Sequence, residues 1–133
     1  MIICGRETLG YVSVFLITRN SAGVPVAADS LPVAAFYRVD GNSGAVVLDV
    51  AVGTSGYLTM TAVSGQTGVY YAPVQLSTLE HNQYDVVMNY AVSASARADH
   101  EGIMILPELD VLALNSQTLA GGIALTARGV MVP

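Results

Sequence analysis

The chain has 133 residues, 53% of them apolar and only 11% charged, with five arginines against ten carboxylates and a formal net charge of −5. That length suits one domain burying roughly two-thirds of its unfolded surface, and so apolar a composition excludes intrinsic disorder. With no lysine and no arginine cluster to neutralise phosphates, a nucleic-acid partner is not expected either. Leu9–Thr18 opens the chain as a strand whose alternating sets are both apolar. Tyr11, Phe15 and Ile17 lie on one side, and Val12, Val14 and Leu16 on the other. Such a strand needs cover on both faces. Asn20-Ser21-Ala22-Gly23 ends it, and Pro25 and Pro32 bracket an irregular stretch.

Val33–Val39 is the second predicted strand, closed by the turn Asp40-Gly41-Asn42-Ser43-Gly44. Ala45–Val52 is the third, turned by Gly53-Thr54-Ser55-Gly56, and Tyr57–Ala62 is the fourth. The loop Ser64–Gly68 leads into Val69–Leu76, and the polar Ser77–Gln83 is a corner. Tyr84–Ala94 has the cleanest alternation. Tyr84, Val86, Met88, Tyr90, Val92 and Ala94 share a face, opposite Asp85, Asn89, Ser93 and Ser95. A charged turn, Arg97–Glu101, leads to a last strand, Gly102–Leu106. Seven strands with turn signals every eight to twelve residues predict an antiparallel all-β sandwich or barrel over residues 1–106.

Residues 107–133 have a different character. Only Asp110 and Arg128 are charged between Leu109 and Pro133, and fourteen of those twenty-five residues are apolar. Pro107, Glu108 and Asp110 suit the first turn of a short helix to about Leu119. Ile123–Ala127 and Val130–Val132 equally suit short strands, and periodicity does not decide. The segment is an added strand of its own sandwich or an apolar C-terminal arm laid on a neighbour. The arm is favoured, because seven strands already complete a sandwich.

Three stretches resemble a known group. They are Asn20–Pro32 followed by a strand with Tyr37, Thr67-Gly68-Val69-Tyr70-Tyr71-Ala72-Pro73-Val74, and Tyr84-Asp85-Val86-Val87 followed by Ala98–Gly102. Their order is similar to that of the small immunoglobulin-like or transthyretin-like β-sandwich modules of tailed-bacteriophage virion proteins. The likeness covers about Thr8–Ile105 and leaves the C-terminal segment unmatched. It implies an antiparallel Ig-like β-sandwich of about seven strands and a structural role in a virion. The residues carry readings of their own as well. Gly68 suits a positive φ. Tyr70 and Tyr71 point to opposite faces, one into the core and one outward or into a contact. Tyr84 stands where a buried ring returns its hydroxyl to the upstream backbone.

Chemistry-bearing clusters are sparse. Glu80-His81 and Asp99-His100-Glu101 lack metal-ligand spacing, and Asp99, Glu101 and Asp85 do not supply the run of oxygens that calcium needs. No Gly-x-Ser-x-Gly occurs, and Cys4 has no His partner identifiable from the sequence. Gly53–Gly56 precedes strand-like residues, so it is no phosphate cradle. The reading is therefore of no enzyme, no catalytic residue, no metal and no cofactor. The lone Cys4 forms no internal disulfide and suits a reducing cytosol. MIICGRETLG lacks the basic and apolar regions of a signal peptide. Val14–Ile17, and even Tyr11–Ile17 with Ser13 inside it, fall far short of the ~20 residues of a membrane-spanning helix.

The low charge is the informative departure, since ordinary soluble domains carry about 25% charged residues. A surface this apolar is expected to be covered by other chains. The expected role is a non-enzymatic virion protein made in the host cytoplasm, foremost a capsid decoration or cement protein. A neck, tail, baseplate or fibre module is the alternative, and a carbohydrate-binding adhesion module the second. Expected partners are the major capsid protein or other virion proteins and further copies of the chain, a trimer being favoured. The candidate contact residues are Tyr11, Phe15 and Ile17 in the opening strand, with Leu109, Leu112, Leu114, Leu119, Ile123, Leu125, Val130 and Val132 in the C-terminal segment.

Overall fold

The computed structural model of the chain describes residues 1–6 and 10–106. They form nine strands: β1 (Ile2–Gly5), β2 (Tyr11–Ile17), β3 (Val33–Val39), β4 (Val46–Leu48), β5 (Tyr57–Thr59), β6 (Thr61–Ala62), β7 (Val69–Gln75), β8 (Gln83–Val92) and β9 (Ser95–Leu106). No α-helix occurs among the described residues; a single 3-10 turn, Leu76–Thr78, shapes the corner before β8. A larger sheet runs β1-β9-β8-β3-β4, with β5 also paired to β3, and a three-stranded sheet runs β2-β7-β6. β5 and β6 are one stretch of chain that changes sheets at Met60, which is buried and whose N–H donates to the Pro32 carbonyl at 2.8 Å. All strand pairs are antiparallel except β1 with β9.

Alternation explains why the two sheets face each other. Side chains of a strand point to opposite faces with period two. One set from β2 (Val12, Val14, Leu16) and one from β7 (Tyr70, Ala72, Val74) are buried in a single cluster with Ala34, Phe36, Val86, Met88, Ile103 and Ile105 of the larger sheet. The all-β class and the inward and outward sets of β2 and β8 follow the alternation in the sequence. Tyr84 is buried at 1% exposure. Its hydroxyl accepts from the His81 N–H at 3.3 Å and donates to Asp49 Oδ2 at 2.7 Å. Gly68 takes a φ of 77°, and a Cβ there would lie 2.7 Å from the Val26 carbonyl oxygen.

Several boundaries differ from expectation. Ile2–Gly5 is a strand that went unforeseen, because a four-residue strand leaves too short a pattern to read. It makes the larger sheet mixed rather than wholly antiparallel. Ala45–Val52 contracts to β4, since Val50–Gly53 fold as turns around the bond from Val52 N–H to Asp49 O. The largest difference is Arg97–Glu101, which is strand and not turn. The reversal lies earlier, at Ser93 and Ala94, whose φ values are 51° and 64°. Such angles usually call for Gly or Asn, so the sequence signal was missing. Asp29 compensates from across the molecule: its carboxylate accepts the Ser93 N–H at 3.0 Å and the Ala94 N–H at 2.8 Å. The expected arm at residues 107–133 lies outside the described residues.

Candidate interaction surface

The outward set of β2 meets the outward set of β7. Their register places Tyr11 opposite Gln75, Ser13 opposite Pro73, Phe15 opposite Tyr71 and Ile17 opposite Val69. Tyr11, Phe15 and Ile17 stand 64%, 60% and 43% exposed. The Phe15 and Tyr71 rings stack with centroids 6.2 Å apart and an interplanar angle of 29°, the offset geometry aromatic pairs favour. Sequence reading found the first three residues. It missed that Val69, Tyr71 and Pro73 complete the same face, because register between strands distant in sequence is not written in either strand. The opposed directions of Tyr70 and Tyr71 were its only signal. Leu109, Leu112, Leu114, Leu119, Ile123, Leu125, Val130 and Val132 lie outside the described residues.

This face borders an open edge. Among the described residues β2 pairs only with β7. The Thr18 N–H donates to Gly68 O at 2.8 Å, and the Leu76 N–H donates to Gly10 O at 2.9 Å. In an antiparallel ladder the bonding direction alternates residue by residue. The even-numbered residues of β2 therefore bond to β7, and the N–H and C=O groups of Tyr11, Ser13, Phe15 and Ile17 point to the open side. β9 has an open stretch too, because β1 covers only Ile103–Leu106. There Arg97, Asp99, His100 and Glu101 supply charge or imidazole, the usual protection of a free edge. Tyr11–Ile17 has no charge and no proline.

Other features are less suited to chemistry. A cleft of about 440 Å³ at one end of the molecule is lined by Arg38, Asp40, His81, Asn82 and Gln83 among others. The Asp40 carboxylate is committed to its own turn. Bonds from the Asn42 N–H, then from Ser43, hold its carboxyl below the ordinary value. Cys4 is half-buried against the core, and burial pushes its thiol up, with Arg6 opposing; a protonated thiol is a poor nucleophile. On the outer face of the larger sheet His100 Nδ1 lies 3.1 Å from Asp85 Oδ2, with His100 exposed and Asp85 partly so. Asp99 and Glu101 do not join them: no group of three His, Cys, Asp or Glu is placed to hold a metal among the described residues.

The sequence matches no protein-family model and no curated protein.

Proposed function

We propose that this is a non-enzymatic structural protein of a tailed-phage virion, an immunoglobulin-like sandwich that binds neighbouring subunits through the outer face of its small sheet. The observation that carries the reading is the coincidence of three exposed large apolar side chains, Tyr11, Phe15 and Ile17, with an uncharged open strand edge. Contiguous apolar surface of this kind marks interaction sites on soluble domains. The 11% charged composition points the same way. Two features support the immunoglobulin-like assignment. The strand orders β1-β9-β8-β3-β4 and β2-β7-β6 are consistent with it, and Tyr84 bonds back to the His81 N–H as in the tyrosine corner of Greek-key sandwiches.

Among virion positions a capsid decoration or cement protein suits one small acidic domain, with the major capsid protein or other virion proteins as partners. Such a protein binds the assembled shell better than separated subunits and stabilises it by mass action. Particles stripped of it are expected to release their genome at a lower temperature than complete particles. Equal release temperatures would refute the cement role. Recovery at a few copies per particle, rather than hundreds, would move the protein to the neck or tail.

The rings of Tyr11, Phe15 and Tyr71 on one face favour a second reading as a carbohydrate-binding module, since flat aromatic faces stack on sugars. Glycan binding by the isolated protein, abolished by Tyr11→Ala, would establish it.

A further inference from the structure

We propose that the edge of β2, open among the described residues, pairs with β2 of a second copy, antiparallel and across a two-fold axis at Val14, joining two small sheets into one six-stranded sheet. The proposal rests on the preceding reading of the small sheet as the interaction surface and names its partner. Three observations converge on it. The outward backbone groups belong to Tyr11, Ser13, Phe15 and Ile17, as the bonds at Thr18 and Leu76 dictate. None of the four is proline, so each offers both a donor and an acceptor. β2 is a seven-residue strand whose middle residue is Val14. An antiparallel pairing centred there sets Tyr11 against Ile17 of the second copy, and Ser13 against Phe15 of the second copy. Every outward N–H then meets an outward C=O, and no residue of the strand is left over.

The side chains fit the same register. Ser13 is the one small residue of the outward set, and it lies where Phe15 of the second copy would stand. Tyr11 opposite Ile17 is an aromatic and β-branched pair of the kind that favours cross-strand contact. A two-fold contact is isologous, so one self-complementary strand suffices and the assembly closes. The neighbouring open stretch of β9 is guarded by Arg97, Asp99 and Glu101, whereas Tyr11–Ile17 is unguarded. A bare, uncharged edge is a ready template for pairing with another strand.

The test is sedimentation velocity on the full chain over a wide concentration range, with amide hydrogen exchange at both ends of it. A monomer–dimer equilibrium is expected, with the N–H groups of Ser13, Phe15 and Ile17 protected only at high concentration. Ser13→Pro removes an N–H that β7 does not use and sets a ring in the path of the second strand. Phe15→Lys places a charge on the seam. Each should weaken association roughly tenfold or more, while Val47→Lys, on the distant edge strand β4, should leave it unchanged. Circular dichroism melts check folding, and exposed Phe15→Lys carries the test if Ser13→Pro melts early. A monomer at high micromolar concentration, a trimer, or a dimer indifferent to both substitutions would overturn the pairing. Protection of the same amides at every concentration would overturn it too, because the chain would then cover its own edge. None of these outcomes bears on whether the protein is found in particles, which stripping and composition measurements decide separately.

Discussion

Tyr84 joins three parts of the fold through one hydroxyl, which accepts a hydrogen bond from the His81 N–H and donates one to the buried Asp49 carboxylate. Burial first, and the bond to Asp49 second, raise its pKa well above the ordinary 10.0. The folded state therefore prefers the protonated phenol. This contribution is complete below about pH 10 and is lost as pH rises beyond it. Urea unfolding between pH 8 and 11.5 should register the decline, and Tyr84→Phe should flatten it. At neutral pH the same substitution is expected to cost about 1–3 kcal/mol, because a buried carboxylate loses a donor. Asp29 is a second bond-maker that composition does not reveal. It holds two successive N–H groups at Ser93 and Ala94, where φ is positive without glycine. Asp29→Ala should destabilise by about 1 kcal/mol, and Ala94→Gly should stabilise by up to about 1 kcal/mol by relieving the backbone. Thermal melts of the two variants moving in the same direction would contradict this account.

At the level of elements, β9 shows why a polar stretch is not necessarily a turn. Arg97, Asp99 and Glu101 have the parity of Ile103 and Ile105, which are buried. Farther along the strand that parity leaves the core and reaches the open edge, so the side chains change character while the backbone continues. Charge of this kind discourages an open edge from pairing with another chain; Asp99 is the exposed carboxylate there, whereas Glu101 pairs with the Met1 ammonium at 2.8 Å. Asp99→Val should therefore change the melting temperature little and raise light scattering on concentration. Unchanged scattering would show that the charge has no such role. Arg6 performs a different task at the corner. Its guanidinium donates to the carbonyls of Leu79, Leu76 and His81, fastening the end of β1 to the corner that leads into β8. Arg6→Ala is expected to loosen β1 first, which amide exchange at Ile2–Gly5 would detect.

For the whole molecule, the central matter is what covers the apolar surface that the described residues leave exposed. Among the described residues the inner faces of the two sheets already cover each other, with Val14, Phe36, Val86 and Ile103 at 0% exposure. Deleting Leu109–Pro133 is therefore expected to leave the sandwich folded, and the arm expected from the sequence adds that incorporation into particles should weaken. Circular dichroism of the truncated protein beside a particle-binding assay separates the outcomes. Unfolding on truncation would make that segment part of the core. Normal binding would assign the contacts to the outer face of β2 and β7 alone.

The sequence by itself determined the all-β class, the inward and outward sets of β2 and β8, the turn at Gly68 and the place of Tyr84. These depend on period-two alternation and on residues with restricted backbone or hydrogen-bonding needs, which are local properties. It also set Tyr11, Phe15 and Ile17 apart as an apolar set facing away from Val12, Val14 and Leu16, and these three are exposed. Only the tertiary structure decided that β1 lies parallel to β9, that β5 and β6 divide one stretch between two sheets, and that Asp29 supports a turn 64 residues away. It alone decided that Tyr71 stacks on Phe15, that charged residues line the free stretch of β9 and that, among the described residues, β2 pairs only with β7. Register, edge position and long-range bonds are properties of pairs of segments. Their energies exist only once the chain has brought both partners together, and neither segment encodes them alone.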